Sequence, residues 1–300
     1  MAIHLTADSD ALAEVAEVEG RSLWQDALNR LMRNKAAVAS MVILGIISIM
    51  AVFAPYLSPH AYDEIYWDFI TAPPNFEQQH WFGTDPNGRD LFVRTLYGAR
   101  ISLMVGIVAT GVSLVIGVTW GATAGYIGGR TDRVMMSIVD IMYSLPFMFF
   151  VIILMVIFGR NIFLIFVALG AVEWLTMARI VRGQTLSVRQ KEFIEAAHAS
   201  GVSTFNILRK HVIPNVLGPV IVYVTLTIPQ VILTESFLSF LGLGVQEPLT
   251  SWGVLISEGA RQMEEAPWLL IFPATFLGLT LFCFNFIGDG LRDALDPKDR

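Results

Sequence analysis

Six apolar runs, each close to the twenty residues that cross a hydrocarbon core, alternate with polar segments along this 300-residue chain. They occupy positions 36–57, 101–124, 134–158, 162–180, 216–241 and 268–287. Lipid offers no hydrogen-bond partners, so each run is predicted to be a helix that satisfies its own backbone. Asp140 and Pro146 interrupt the third run, Glu173 falls in the fourth, and Pro219, Pro229 and Glu235 fall in the fifth. The pattern predicts an all-α membrane protein with six transmembrane helices. Its core is 36–290, preceded by a segment 1–35 and followed by a tail 291–300. Two polar segments, 58–98 and 242–267, belong on one side of the bilayer, and a polar loop, 183–215, belongs on the other.

Before the first run, apolar pairs recur about every four residues: Leu23-Trp24, Ala27-Leu28 and Leu31-Met32. That spacing puts them on one face of a helix, with Gln25, Asp26, Asn29, Arg30 and Arg33 opposite, and predicts a helix lying in the membrane interface. Lys and Arg decide the orientation. With the N-terminus in the cytoplasm, fifteen of the twenty basic residues fall on the cytoplasmic side, and only Arg89, Arg94, Arg100, Arg160 and Arg261 fall outside. Both termini are therefore expected in the cytoplasm.

Composition supports the bilayer as solvent. Apolar residues make up 54% and charged residues 15% of the chain, mean hydropathy is +0.59, and a soluble domain carries about 25% charge. The net charge of −6 comes with no dense basic stripe, which argues against nucleic acid as a partner. Residues 1–20 are polar and acidic, unlike a cleavable signal. Cys283 is the single cysteine, so no intramolecular disulfide or cysteine metal cluster forms.

The polar stretch 191–214 is the least expected segment. Glu192 and Glu195 stand three apart, on one face near a helix start, where the helix dipole favours acids. Ala196, Ala197 and Ala199 offer small surfaces for close approach of another protein. Gly201 suits a left-handed helix end. Ser203 or Thr204 then caps a second short helix, which should end before Pro214.

Glu195-Ala196-Ala197, three further residues, Gly201, and the His211-Val212-Ile213-Pro214 ending resemble the coupling loop of the permease subunits of ATP-binding-cassette importers. His211 and Pro214-Asn215 resemble its peptide and nickel branch. So do Phe82-Gly83-Thr84-Asp85 through Gly88-Arg89-Asp90, the stretch Leu238-Ser239-Phe240-Leu241-Gly242-Leu243-Gly244, and the stretch from Asn285 to Pro297. Within that branch the likeness is to the C subunits of oligopeptide permeases. The resemblance implies a non-catalytic subunit of a bacterial inner membrane, forming half of a pathway for oligopeptides, with dipeptides or nickel chelates as alternative cargo. It also implies a homologous second permease, two cytoplasmic ATP-binding subunits carrying ATP and magnesium, and an extracytoplasmic peptide-binding protein. Glu192, Glu195, Ala196, Ala197, Gly201 and Pro214 would then form the seat for an ATPase.

No Gly-x-x-x-x-Gly-Lys-Ser/Thr occurs, so the chain lacks the loop that cradles nucleotide phosphates. Gly121, Gly125, Gly128 and Gly129 are read instead as sites of close helix packing. An ion-coupled transporter working alone would carry inverted repeats, which the two halves do not display. Neither His-Glu-x-x-His nor Gly-x-Ser-x-Gly is present to support a membrane enzyme. Asp140, Glu173 and Glu235 are intramembrane acids. Each either lines the pathway and meets a peptide's amino terminus or serves as a polar packing partner. His198 and His211 lack further ligands at metal spacing. Trp81, Trp252 and Trp268 are expected in the outer aromatic belt, with Trp81 and Trp252 also candidates for receiving a binding protein. Asp289, Arg292, Asp293 and Asp296 either tie the tail to the cytoplasmic loops or form a solvated helix end.

Overall fold

A computed structural model describes residues 23–159 and 161–295. Residues 1–22, including Arg21, together with Arg160, Asp296, Lys298 and Arg300, lie outside the described residues. Helices account for all regular structure among the described residues apart from two isolated bridges, Asn75 with His80 and Thr84 with Asp90.

In chain order the α-helices are α1 (Leu23–Arg33), α2 (Lys35–Val52), α3 (Ala54–Leu57), α4 (Leu91–Ile127), α5 (Gly129–Ser144), α6 (Phe147–Phe158), α7 (Ile162–Arg189), α8 (Glu192–Ala199), α9 (Thr204–Ile207), α10 (Ile213–Phe240), α11 (Trp252–Arg261) and α12 (Trp268–Leu295). Polar side chains start several of them. Asn34 accepts from the Ala36 and Ala37 amides, Asp90 from Val93, Asn161 from Phe163 and Ser251 from Val254. Each satisfies backbone donors that the first helical turn leaves unpaired.

The bundle is organised around α4. It runs alongside α7, and α10 packs against both. Gly121 and Gly125 make the α4–α7 approach possible, because a Cβ at either would collide with the α7 backbone at Ala178 or Arg182. This agrees with the packing role expected for these two glycines. Gly128 and Gly129 instead sit at positive φ where α4 ends and α5 begins. On the far side α2 lies along α12. Large apolar side chains such as Val42, Ile46, Ile49, Val115, Val156 and Phe282 face outward. In lipid such a surface is solvated rather than a liability.

Among the described residues, five helices are long and apolar enough to cross a membrane, and a sixth crossing exists if α5 and α6 count as one bent span. The third expected helix is therefore not straight: its two halves meet at 84°. Pro146 has no amide proton and Leu145 before it is extended, so the α5 ladder stops at Ser144.

The other bounds also move. The second span begins at Leu91, ten residues before the expected 101, so segment 58–98 is not all loop. The fourth continues to Arg189 and shortens the loop expected at 183–215. The last continues to Leu295, so the tail expected at 291–300 is partly helix. The helix after Gly201 does not end before Pro214. A π-turn at Leu208–Val212 joins α9 to α10, and Pro214 occupies the first turn of α10. A widened turn shifts the backbone pairing where proline cannot donate, so the helix passes through.

In α1, Ala27 and Leu31 are buried against Ala37 and Ala294, while Leu28 and Met32 remain exposed. The apolar face of α1 is thus shared between the bundle and the outside.

Candidate functional site

The helix read from the sequence as the seat of a partner is α8. It is joined to α7 by Gln190 and Lys191 alone and separated from α9 by four residues. Ile194 and Ala197 point inward, into an apolar cluster made by Tyr126 of α4, Val181 of α7, and Ile207, Val212 and Val216 of the α9–α10 rod. Burial of one Ile side chain contributes about 1.5–3 kcal/mol, so this contact suffices to hold an eight-residue helix that would not persist alone. Ala197 is therefore not part of a contact surface, contrary to expectation: helical phase turns it inward with Ile194, three residues before it. Glu192, Phe193, Glu195, Ala196, His198 and Ala199 are exposed.

The helix stops at Gly201, whose φ is +76°. Its amide donates to the His198 carbonyl at 3.0 Å, and the Val202 amide donates to the Ala197 carbonyl at 3.2 Å. This pair of bonds closes the helix in the manner of a Schellman end. Nothing crowds a Cβ at Gly201, so backbone handedness alone calls for glycine there. A cleft of about 400 Å³ runs beside α8, lined by Tyr126, Arg189, Glu195, His198 and Thr204. Pro214 lies apart from α8, exposed at the start of α10.

Two ion pairs fasten α5 to α7. Arg182 grips Asp132 with two bonds, of 2.5 and 2.7 Å, and Arg179 meets Asp140 at 2.7 Å while lying over the Tyr143 ring. Asp140 is thus an exposed helix-to-helix partner. Glu235 is fully buried. It accepts from Ser239 at 2.6 Å and from Ser102 at 3.4 Å, and Ser102 in turn accepts from the Trp252 amide at 3.2 Å. This knot joins α4, α10 and α11. Glu173 is half-buried on α7 and lines a cavity of about 340 Å³ beneath the α5–α6 bend.

The opposite end carries a polar network that sequence reading missed. Asp85 accepts from the Asn87 and Arg89 amides and from Arg89 Nε, and it stands 3.3 Å from Arg94 Nε. Arg89 reaches across to Glu247 at 3.0 Å, tying the segment before α4 to the one before α11. Burial pulls the Arg89 pKa down, but Asp85 and Glu247 outweigh it and hold the guanidinium above its ordinary value. Burial pushes Glu258, beside Arg94, above the usual carboxylate range. Asp90 caps α4 and also receives the buried His80 ring at 2.8 Å, and His60 stacks on His80. The tyrosine hydroxyl of Tyr66 holds Glu64 below the usual range. The signal was present in the dense Asp85-to-Arg94 spacing, but nothing in one sequence gives the partners at Glu247 and Glu258.

Trp252 is fully buried, with its indole N–H donating to the Thr95 carbonyl at 3.1 Å. It therefore faces neither lipid nor a binding protein: α11 folds back over α4 and covers it. Trp81 and Trp268 are half-buried, with Trp81 packed edge-on against Phe92. Asp289, Arg292 and Asp293 are exposed on α12, and no ion pair involves them among the described residues.

Residues 117–300 match the family described as binding-protein-dependent transport system inner membrane component, and residues 22–74 match the N-terminal TM domain of oligopeptide transport permease C. The chain is 61% identical to the oligopeptide transport system permease protein OppC of Haemophilus influenzae, across 96% of this chain and 92% of that protein. It is 49% identical to the dipeptide transport system permease protein DppC of Bacillus subtilis, across 93% and 87% respectively. Among solved structures, an inward-facing form of the MetNI methionine ABC transporter superposes with a TM-score of 0.55 at 21% identity, covering 69% of this chain and 96% of that one. That likeness concerns the fold alone. The apolar helices, the family match and the near full-length identity agree: this chain belongs to the multi-pass inner-membrane components of binding-protein-dependent transport systems, in the branch of the oligopeptide permease C subunits.

Proposed function

We propose that this chain is a permease subunit of an ATP-driven peptide importer and that α8 is where a cytoplasmic ATPase pushes on it. The family's relatives are transport permease subunits, and those at 61% and 49% identity carry oligopeptide and dipeptide names. The importer reading brings with it a homologous second permease, ATP-hydrolysing subunits and a delivery protein on the far side. The basic-residue bias puts α8 and both termini in the cytoplasm.

One observation carries the coupling reading. Helix α8 shows an exposed, unpaired face with Glu192, Glu195, Ala196 and His198, while Ile194 and Ala197 lock it onto the ends of α4, α7 and α10. A force on the exposed face reaches three spanning helices through one small apolar cluster, without passing through a flexible linker. Closing of an ATPase dimer would thereby turn the bundle between inward- and outward-open arrangements. The weakly charged interior suits cargo that must leave as well as enter.

The test is the complete complex in proteoliposomes, with peptide uptake and ATP hydrolysis measured together. Glu195→Arg and Gly201→Val should cut uptake per ATP hydrolysed at least tenfold while the subunits still assemble. Unchanged uptake per ATP in both variants contradicts a coupling role for α8.

A further inference from the structure

One carboxylate inside the bundle has no partner. Glu173 makes no hydrogen bond or ion pair among the described residues. Every other acid that the sequence places in a span is answered: Asp140 by Arg179, and Glu235 by two serines. An unanswered carboxylate at such depth is costly and is a functional residue by default.

Its surroundings say what would answer it. The cavity of about 340 Å³ is closed on one side by Leu145 and Phe150, at the bend between α5 and α6. On the other side α10 supplies Gln230 and Thr234. The Thr234 hydroxyl donates to the Gln230 backbone carbonyl at 2.9 Å, so its free lone pair still accepts. Carboxylate, side-chain amide oxygen and hydroxyl oxygen together form an acceptor set with no cation of its own. Arg179, the nearest guanidinium on α7, is held by Asp140 and the Tyr143 ring and does not line the cavity. Apolar walls would strengthen any charge placed against Glu173.

We propose that this cavity is a subsite for a primary ammonium, and that in transport it receives the α-ammonium of the peptide. A primary ammonium offers three donors and no acceptor, which matches the acceptor set. The α-ammonium is the one cation that every unblocked peptide carries whatever its side chains, so a single acid serves broad cargo. This subsite rests on the peptide-importer reading above.

The test uses the full complex in proteoliposomes with two probes, tri-alanine and propionyl-Ala-Ala, which differ only in the amine. Initial ATP-driven uptake is measured for wild type, Glu173→Gln and Glu173→Asp, all fed by the same delivery protein, whose own preference cancels when complexes are compared. Wild type should favour the amine-bearing probe over the other by roughly tenfold more than Glu173→Gln does. Glu173→Asp, which keeps the charge, should recover part of that difference. An equal preference ratio in wild type and Glu173→Gln overturns the subsite, because a purely structural role slows both probes alike. If Glu173→Gln does not assemble, Glu173→Asp and Gln230→Leu carry the same comparison, and unchanged ratios in both overturn it. Wild-type complex that takes up neither probe on ATP sinks the importer reading, and this subsite with it.

Discussion

The two polar ends of this molecule are built on opposite principles. At the end opposite α8, Asp85, Arg89, Asp90 and Arg94 are almost entirely buried and pair with one another, Glu247 and His80. At the α8 end, two residues are buried and the rest of the helix is presented without partners. The first end is closed by its own side chains, apart from the Arg94 nitrogens, which are buried without a hydrogen-bond acceptor, and its network ties two distant segments into one lid over α4. The second is finished only structurally, with its charges left over. A helix held firmly from behind and left open in front is suited to receive a force, whereas a closed network is suited to keep its shape.

Variants that attack each end break the comparison in different currencies. The largest effect is expected for Asp85→Ala, which strips the buried Arg89 and Arg94 of their shared carboxylate. Removing one member of a buried ion network costs about 3–5 kcal/mol, so the thermal midpoint in detergent should fall steeply. An unchanged midpoint would mean that the Asp85 network is decorative. Ile194→Ala comes next, at about 2–5 kcal/mol. That cost should fall on the docking of α8, so amide exchange should accelerate across 192–202 with little change in the rest of the bundle. Exchange that rises everywhere would instead make α8 part of the global core. The smallest effect is expected for Asp140→Asn, since its pair with Arg179 is exposed and such pairs contribute about 0–1 kcal/mol. A large loss of stability there would place the α5–α7 pairing closer to the rigid Asp85 network than its exposure implies.

Much of this was legible in the chain. Hydropathy located the five long apolar helices, and Gly201 announced the end of α8. Helix ends were less legible because polar residues inside proteins look like loop. Arg94, Thr95 and Arg100 belong to α4, where protein rather than lipid surrounds them: Arg94 meets Asp85, and Arg100 donates to the Ala51 and Val52 carbonyls. Arg179 and Arg182 extend α7 in the same way, by pairing with α5. Pro146 marked a break but not its angle, which depends on how α6 packs against α7. Pro214 looked like a stop because a one-residue rule does not foresee a π-turn. Ala197 was misplaced because small residues suit both a docking face and a tight interior, and only the three-dimensional phase set by Ile194 separates the two.

The central claim is that the exposed face of α8 is the surface an ATPase covers. Cys283 is the chain's one cysteine and is buried, so a cysteine placed at Ala196 reports with little background. The most direct measurement is the maleimide labelling rate of Ala196→Cys in membranes, with and without the ATPase subunits assembled, beside Gln78→Cys at the opposite end. An ATPase seated on α8 gives strong protection at position 196 on assembly and none at position 78. Equal labelling of position 196 in the bare permease and the assembled complex contradicts it.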